Sequence, residues 1–184
     1  MAITINGSGT ITGVSAGGLP DGIITADELA SGVGGKVLQV VSTTKTDTFT
    51  TSSSGDTLVT GLTVNITPSS TSSKILVFGN ISISNSGDGQ KCTLYRDSTA
   101  ISIGDSAGNR PTVSGMVSLS SQYWMNNVPA SILDTPSTTS QITYSWKVAA
   151  SGSTVYVNRT QGDRDSTLYD PRTASTITVM EIAG

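Results

Sequence analysis

Short runs of alternating apolar and polar residues are the feature that most constrains the fold of this chain. In the clearest run, Ile142, Tyr144, Trp146 and Val148 occupy every second position, and Thr, Ser and Lys stand between them. A β-strand places alternate side chains on opposite faces. We therefore expect a strand with one face in a hydrophobic core and the other toward solvent.

Comparable runs recur along most of the chain and predict about ten short strands, separated by turns rich in Gly, Pro, Ser and Asn. Residues 85–89 are a predicted turn, and residues 151–153 are a predicted tight turn between two strands. In the last predicted strand, residues 176–182, the apolar residues change face near Met180, which predicts a β-bulge or burial on both sides. Two further predicted strands have shared faces formed by Leu58, Thr60, Leu62, Val64 and Ile66, and by Ile75, Val77, Gly79, Ile81 and Ile83.

The number and spacing of these strands predict the fold class. No amphipathic helix pattern follows residue 35, and no repeat of fixed period is present. Many short strands with such turns predict an all-β fold, an antiparallel β-sandwich or jelly-roll-like domain over residues 36–184. The side chains expected in its core are Leu62, Val64, Ile75, Val77, Ile81, Trp146, Val148, Val155, Val157 and Ile177.

The composition narrows the class of partner. Charged residues make up 12% of the chain, against roughly 25% in ordinary globular domains, whereas 29 serines and 28 threonines are present. The net charge is −3 and there is no basic run, so we expect no nucleic-acid partner. The longest strongly apolar run, residues 75–78, is too short to cross a bilayer, and residues 1–9 lack the pattern of a secretory signal. We expect synthesis in the cytoplasm and no membrane insertion.

Residues 1–35 differ from the rest of the chain because they are rich in glycine and carry isolated apolar residues. Such a segment cannot close a core alone, so we predict an extended arm that packs on other copies or on a docking partner. Thr25 and Glu28 form a capping box that predicts a short helix at residues 25–31. The residues expected to attach the arm are Ile3, Ile5, Ile11, Leu19 and Leu29.

The residue inventory argues against catalysis. The chain has no histidine, which removes Ser-His-Asp and Cys-His triads and most zinc sites. Cys92 lies in a strand-like run and is expected to be a small buried hydrophobe. Glu28 and Glu181 are the two glutamates, and the aspartates lie mostly in predicted turns, so no carboxylate pair of the glycosidase kind is expected. We predict no enzyme activity, no cofactor and no metal.

The densest polar segment, residues 158–172, lies between two predicted strands and carries three arginines, three aspartates and a tyrosine. Two interpretations stay open. The segment presents arginines and a tyrosine to a sugar or a protein, as long loops on rigid scaffolds often do. Alternatively, its opposite charges neutralise each other and hold the loop or join subunits. The candidate recognition residues are Arg159, Gln161, Asp163, Arg164, Asp165, Tyr169 and Arg172.

A second candidate site combines aromatic rings with amides, the groups that stack on sugars and hydrogen-bond to them. Its residues are Tyr123, Trp124, Asn126 and Asn127. On a strand, Tyr123 and Trp124 would point to opposite faces, so we expect one of them in the core. Packing in a core or an interface is the alternative to a ligand platform.

Several stretches resemble one family. Residues 35–42, GKVLQVVS, and residues 61–77, GLTVNITPSSTSSKILV, resemble a module found in predicted tail-fibre and other virion proteins of phages, including cyanophages and marine phages. Residues 155–160 and 174–182 look like the end of that module, and residues 3–13 are similar to segments that join such proteins to a particle. The resemblance implies a trimeric fibre or fibre tip and brings over no catalytic residue.

These observations predict a structural phage virion protein, a fibre-type subunit that mediates adhesion to the host cell surface. We expect it on the tail or baseplate, or on the capsid. The expected partners are further copies in a homotrimer, other virion proteins bound through the arm, and a host surface polysaccharide or protein. The alternative is a head fibre, decoration or adaptor protein with a purely structural role and no receptor.

Overall fold

The computed structural model describes residues 36–85 and 87–184, and in that part of the chain the regular structure is entirely β. No helix there is long and apolar enough to cross a membrane. The strands are β1 (Val37–Lys45), β2 (Phe49–Thr51), β3 (Thr57–Ile66), β4 (Lys74–Ser84), β5 (Gly87–Arg96), β6 (Thr99–Ile101), β7 (Gly115–Leu119), β8 (Asn126–Asp134), β9 (Ile142–Ala149), β10 (Val155–Val157) and β11 (Ser175–Ile182).

The first sheet is built around β4. Strand β8 pairs with one edge of β4 along nearly its whole length. Strands β11 and β10 pair with successive parts of the opposite edge, at residues 74–80 and 83–84. Strand β1 lies beside β11, and β2 lies beside β10. The sheet is therefore four strands wide, and its order is β1/β2, β11/β10, β4, β8.

The second sheet is built around β5. Strand β9 pairs with one edge of β5 and carries β3 on its far side. Strands β6 and β7 pair with successive parts of the other edge. The order is β3, β9, β5, β6/β7, and every pairing in both sheets is antiparallel.

The two orders together define a jelly roll. Strands β1 and β2 share one position in the first sheet, as do β10 and β11, and β6 and β7 share one position in the second, so the eleven strands occupy eight positions. Numbered from 1 to 8 along the chain, these positions have the order 1-8-3-6 in the first sheet and 2-7-4-5 in the second. This interleaving of two Greek keys is the jelly-roll topology. The predicted antiparallel sandwich is thereby confirmed, and the jelly-roll form follows from the strand pairing itself.

The core lies between the two sheets. The alternation of apolar residues predicted its members because each strand has one inward face. All ten side chains predicted to be buried are buried, each at 3% exposure or less, namely Leu62, Val64, Ile75, Val77, Ile81, Trp146, Val148, Val155, Val157 and Ile177.

Strand β3 departs from the predicted phase. Leu58 was expected on the inward face, yet it is exposed and its neighbour Val59 is fully buried. The pairing of β3 with β9 shifts register between Leu58 and Thr63. Gly61 lies in that interval with a φ of 80°, a backbone conformation that glycine adopts at no steric cost. The bulge reverses the faces, so the prediction for Leu58 and Thr60 was wrong.

The last strand was predicted to change face near Met180, and it does not. Inward and outward positions alternate from Ser175 to Ile182, and the pairing with β4 continues without a shift. The pairing with β1 does shift register beside Glu181 and Ile182, where Leu38 is the extra residue of β1. The inward position after Val179 is taken by Glu181, which is 1% exposed. The bulge was predicted because an inward position of the strand carries a polar residue. That residue, Glu181, is a buried carboxylate.

Two predicted turns also differ. Residues 151–153 do not close a hairpin, because β9 belongs to the second sheet and β10 to the first; this segment crosses between sheets. Strand β5 begins at Gly87, so the connection after β4 is shorter than the predicted turn over residues 85–89. The predicted arm over residues 1–35, its helix at residues 25–31 and its attachment residues Ile3, Ile5, Ile11, Leu19 and Leu29 lie outside the described residues.

Candidate functional site

A long polar loop, residues 158–174, leaves the sandwich after β10 and returns at β11. We call it the polar loop. Asn158 opens it with a φ of 59° and a fully buried side chain. Its amide donates to the carbonyl oxygens of Lys45 (2.9 Å) and Asp47 (3.0 Å), and its Oδ1 accepts a hydrogen bond from Ser175 Oγ at 2.6 Å. Its carbonyl oxygen accepts from the Thr173 backbone N–H. One asparagine therefore joins both ends of the polar loop to the sheet.

The charges of the polar loop pair with each other. Arg172 Nη2 lies 2.6 Å from Asp163 Oδ1, and Arg159 Nη1 lies 2.5 Å from Asp163 Oδ2. Arg164 Nε donates to Asp170 Oδ2 at 2.7 Å. All three candidate arginines thus have carboxylate partners within the loop.

Asp170 is the buried member of this network. Thr160 Oγ1 donates to its Oδ1, Arg164 occupies its Oδ2, and the residue is 8% exposed. The hydrogen bond from Thr160 and the guanidinium of Arg164 hold the pKa of the Asp170 carboxyl below its ordinary value, against the opposite effect of burial. The pairing with Asp170 raises the pKa of Arg164.

The structure brings the two candidate sites together. Arg164 lies over the ring of Tyr123 at 4.2 Å and near the ring of Tyr169 at 5.5 Å, measured from the guanidinium carbon to each ring centroid. The two tyrosine rings are 5.6 Å apart. The Gly162 backbone N–H also donates to the carbonyl oxygen of Gln122 at 3.1 Å. The polar loop and the β7–β8 turn therefore form one surface.

The aromatic and amide candidates do not lie as predicted. Tyr123 and Trp124 lie in the turn between β7 and β8 and not on a strand, and neither is in the core. Trp124 is 59% exposed, and Asn126 and Asn127 are exposed at the start of β8. The prediction that one of the two rings is buried in the core was wrong, because the chain leaves the β conformation after Leu119.

A shallow cleft opens beside Tyr123, with a volume of about 420 Å³. None of its lining side chains carries a formal charge. Gln122 Nε2 donates to the Tyr123 hydroxyl at 2.7 Å. Gln161 Oε1 is buried and has no hydrogen-bond partner among the described residues. The residues that line the cleft are Ser120, Ser121, Gln122, Tyr123 and Gln161.

The remaining candidates of the polar loop lie toward its tip. Asp165 is exposed, and Tyr169 is 55% exposed. Leu168, which was not singled out from the sequence, is the most exposed large hydrophobic residue of the described chain. Gln122 and Asn158 were also missed: Asn158 follows a β-strand run directly, the kind of position at which asparagine accepts a positive φ, whereas nothing in the sequence points to Gln122.

No group of three or more His, Cys, Asp or Glu residues within residues 36–85 and 87–184 is arranged to hold a metal ion. Cys92 is fully buried, as predicted, and burial raises the pKa of its thiol to about 12. A thiol in this environment stays protonated at neutral pH and is a poor nucleophile.

The outward face of the first sheet is a second notable surface, which we call the outer face. A row of apolar side chains crosses its four strands through the paired positions Val40, Met180, Leu76 and Leu133. Val40 is 55% exposed and Leu133 is 51% exposed. Phe78 lies in the adjacent row, and it is exposed beside hydroxylic residues of β8 and β11.

The outer face is almost free of charge. Along β1, β4, β8 and β11, the outward positions carry one charged residue, Lys74 at the start of β4. The outward face of the second sheet differs, because Lys91 and Lys147 project from β5 and β9. Lys147 Nζ lies over the ring of Tyr95 at 3.8 Å. An uncharged surface with exposed apolar side chains is typical of a contact region.

No protein-family model matches the chain, and the search of curated proteins also found no match. Among solved structures, the chain is similar to the structure of the infectious bursal disease virus Gx strain, with 16% identity, a TM-score of 0.39, and coverage of 79% of this chain and 40% of that one. The T13 particle of the same virus gives 16% identity, a TM-score of 0.39, and coverage of 79% and 36%. This chain spans well under half the length of either protein. The jelly-roll assignment stands on the strand order, and likeness at this level adds no argument about function.

Proposed function

We propose that this protein is a structural component of a phage virion, a fibre-type subunit that forms a homotrimer and adheres to the host cell surface. Jelly rolls serve as viral capsid domains and as lectin domains, so the fold suits both assembly and recognition. The resemblance of residues 35–42 and 61–77 to phage virion modules supports the same role.

The observation that carries the proposal is the apolar row across the outer face. Exposed Val40, Phe78 and Leu133 lie on an otherwise hydroxylic and nearly uncharged surface. A charged partner would form no ion pair with such a surface. Another copy of the same chain has an equally uncharged face and is therefore the better match. Three copies that turn this face toward a common axis would remove the apolar row from water.

The trimer is tested by light scattering on the full chain. We expect a species at three times the 18.8 kDa mass of one chain at micromolar concentration. Leu133→Glu introduces a charge into the outer face and should shift the mass toward one chain. Lys147→Glu, on the outward face of the other sheet, is the control and should leave the mass unchanged. A wild-type protein with the mass of a single chain would contradict the trimer.

The adhesive role is tested separately from assembly. Fluorescently labelled protein should bind to cells of the host bacterium, and excess unlabelled protein should compete. Antibody labelling of the particle in electron micrographs should place the subunit on the tail or baseplate. Labelling of the capsid without cell binding would instead favour a head fibre, decoration or adaptor protein, for which the outer face alone is sufficient.

Attachment through the N-terminal arm completes the proposal. Removal of residues 1–33 should leave the sandwich folded, because every buried residue of the described core lies beyond residue 36. The truncated protein should fail to incorporate into particles. Its incorporation at wild-type level would locate the anchor elsewhere in the chain.

A further inference from the structure

We infer that the cleft between the β7–β8 turn and the polar loop binds a neutral carbohydrate. Its recognising groups are the Gln161 carboxamide, the ring of Tyr123 and the hydroxyls of Ser120 and Ser121. The inference rests on the proposed adhesive function and names the class of receptor at which that function is directed.

The first argument is the charge of the cleft. All five lining side chains are hydroxyls, amides or a phenol, so the wall offers hydrogen bonds without a net charge. Arg164, which covers the Tyr123 ring, is held through its Nε by Asp170 at 2.7 Å. Among the five lining side chains, a carboxylate or sulfate group on a ligand would find no cation. A polyhydroxylated neutral ligand matches both the donors and the acceptors.

The second argument is an unused hydrogen-bond acceptor. Within residues 36–85 and 87–184, Gln161 Oε1 is buried without a partner, and buried polar atoms in folded proteins are nearly always paired. Gln161 belongs to the wall of the cleft. Oε1 itself is shielded from solvent, so a sugar hydroxyl in the cleft would donate to it once the Gln161 side chain turns toward the ligand. The hydrogen bond gained in this way favours a ligand that carries hydroxyl donors.

The third argument is that rings and amides meet in a fixed arrangement. The Gly162 to Gln122 hydrogen bond joins the two segments of the cleft. Arg164 holds Tyr123 and Tyr169 from the side of the polar loop. Trp124 is not one of the five lining residues. It follows Tyr123 directly in the chain, and its 59% exposed ring offers an apolar surface for the C–H face of a sugar that extends beyond the cleft. Preformed sites of this kind lose little entropy on binding.

The test uses the full chain on immobilised oligosaccharides. One set contains neutral oligomers of glucose, galactose, mannose and N-acetylglucosamine, and a second set contains uronic or sialic acids. We expect binding to a member of the neutral set that persists in high salt. Gln161→Leu and Trp124→Ala should each weaken it on the order of tenfold. Gln141→Leu makes the same replacement at an exposed glutamine outside the cleft and should bind like wild type.

The outcomes separate this inference from the proposed function. Binding restricted to acidic sugars and abolished by salt would overturn the inference, as would neutral-sugar binding that Gln161→Leu and Trp124→Ala leave intact. Adhesion to host cells without any sugar binding would also overturn the inference, but the adhesive function would remain, directed at a protein receptor. Sugar binding sensitive to both variants, with no adhesion to cells, would support the cleft and remove the adhesive function.

Discussion

The indole ring of Trp146 on β9 packs against the backbone of Gly79 on β4, across the interior between the two sheets. A Cβ atom added to Gly79 would lie 2.7 Å from Trp146 Nε1 and 2.9 Å from two ring carbons. Trp146 is fully buried and is the largest of the fully buried side chains in the described chain. The close approach of the sheets at this point therefore requires a residue without a side chain.

Gly79→Ala should destabilise the fold by about 1–3 kcal/mol, the usual cost of overpacking a core. Chemical denaturation followed by tryptophan fluorescence measures this change. Gly104→Ala is the matched control, because a Cβ there meets no atom within 4 Å; its effect should stay within about 0.5 kcal/mol. Equal stability of the two variants would contradict a tight contact between Gly79 and Trp146.

Glu181 makes the stability of the sandwich depend on pH. Burial raises the pKa of this carboxyl, but hydrogen bonds from Gln39 Nε2 (2.6 Å) and from the backbone and hydroxyl of Ser69 (both 2.7 Å) outweigh it, and together they lower the pKa from 4.5 to about 2. A depressed folded-state pKa contributes stability above the unfolded value, and that contribution is lost as the pH falls toward 2.

The free energy of unfolding should therefore decrease between about pH 4.5 and pH 2. Glu181→Gln should be less stable than wild type at pH 7 and should lose less stability over that acid range, because the amide does not titrate. Urea unfolding at pH 7, 4 and 3 measures both effects. Parallel pH profiles for the two proteins would show that the acid sensitivity arises from other carboxyls.

Much of the sandwich could be predicted from the sequence because the alternation of apolar and polar residues within each strand shows which side chains face the core. Alternation correctly predicted ten residues of the core, including Trp146 and Ile177, without knowledge of their partners. It failed at Leu58, where the Gly61 bulge reverses the faces, and at Glu181, where distant Gln39 and Ser69 satisfy a charge that the strand carries inward. The partners of Glu181 lie far away in the sequence, whereas Gly61 lies inside the strand, where an isolated glycine is itself a signal of a bulge.

The candidate site could likewise be predicted only in part. The polar loop and the aromatic turn were each recognised from their composition. The contact between the two segments could not be predicted, because Tyr123 and Arg164 are far apart in the sequence and only the folded sandwich brings them together. The cleft is lined from both segments, by residues 120–123 of the turn and by Gln161 of the polar loop, so no single stretch of sequence marks it.

A buried network joins the two sheets at the end of β8. Tyr144 donates its hydroxyl to Asp134 Oδ2 at 2.6 Å, and Arg96 Nη1 donates to Asp134 Oδ1 at 2.7 Å. Tyr144→Phe leaves one oxygen of a buried carboxylate without its donor and should cost about 1–3 kcal/mol. Tyr95→Phe removes a hydroxyl that bonds to Asp56 at the surface, and it is the matched control with a smaller expected cost. Thermal unfolding of both variants measures the two losses of stability. A loss for Tyr95→Phe as large as that for Tyr144→Phe would show that burial of the accepting carboxylate does not determine the cost.

Asn158 offers a test of how the polar loop is held, because backbone and side chain contribute separately at this residue. Asn158→Gly keeps the positive φ without strain but loses the bonds to Lys45, Asp47 and Ser175. Asn158→Ala loses those bonds and also places a Cβ in a disfavoured backbone region. Both variants should be less stable than wild type, with Ala the worse by about 1 kcal/mol. Limited proteolysis should cut within residues 159–174 faster in both, while the strands stay protected. Cleavage at the wild-type rate in Asn158→Gly would mean that the Arg159, Arg172 and Asp163 ion pairs hold the polar loop without the asparagine.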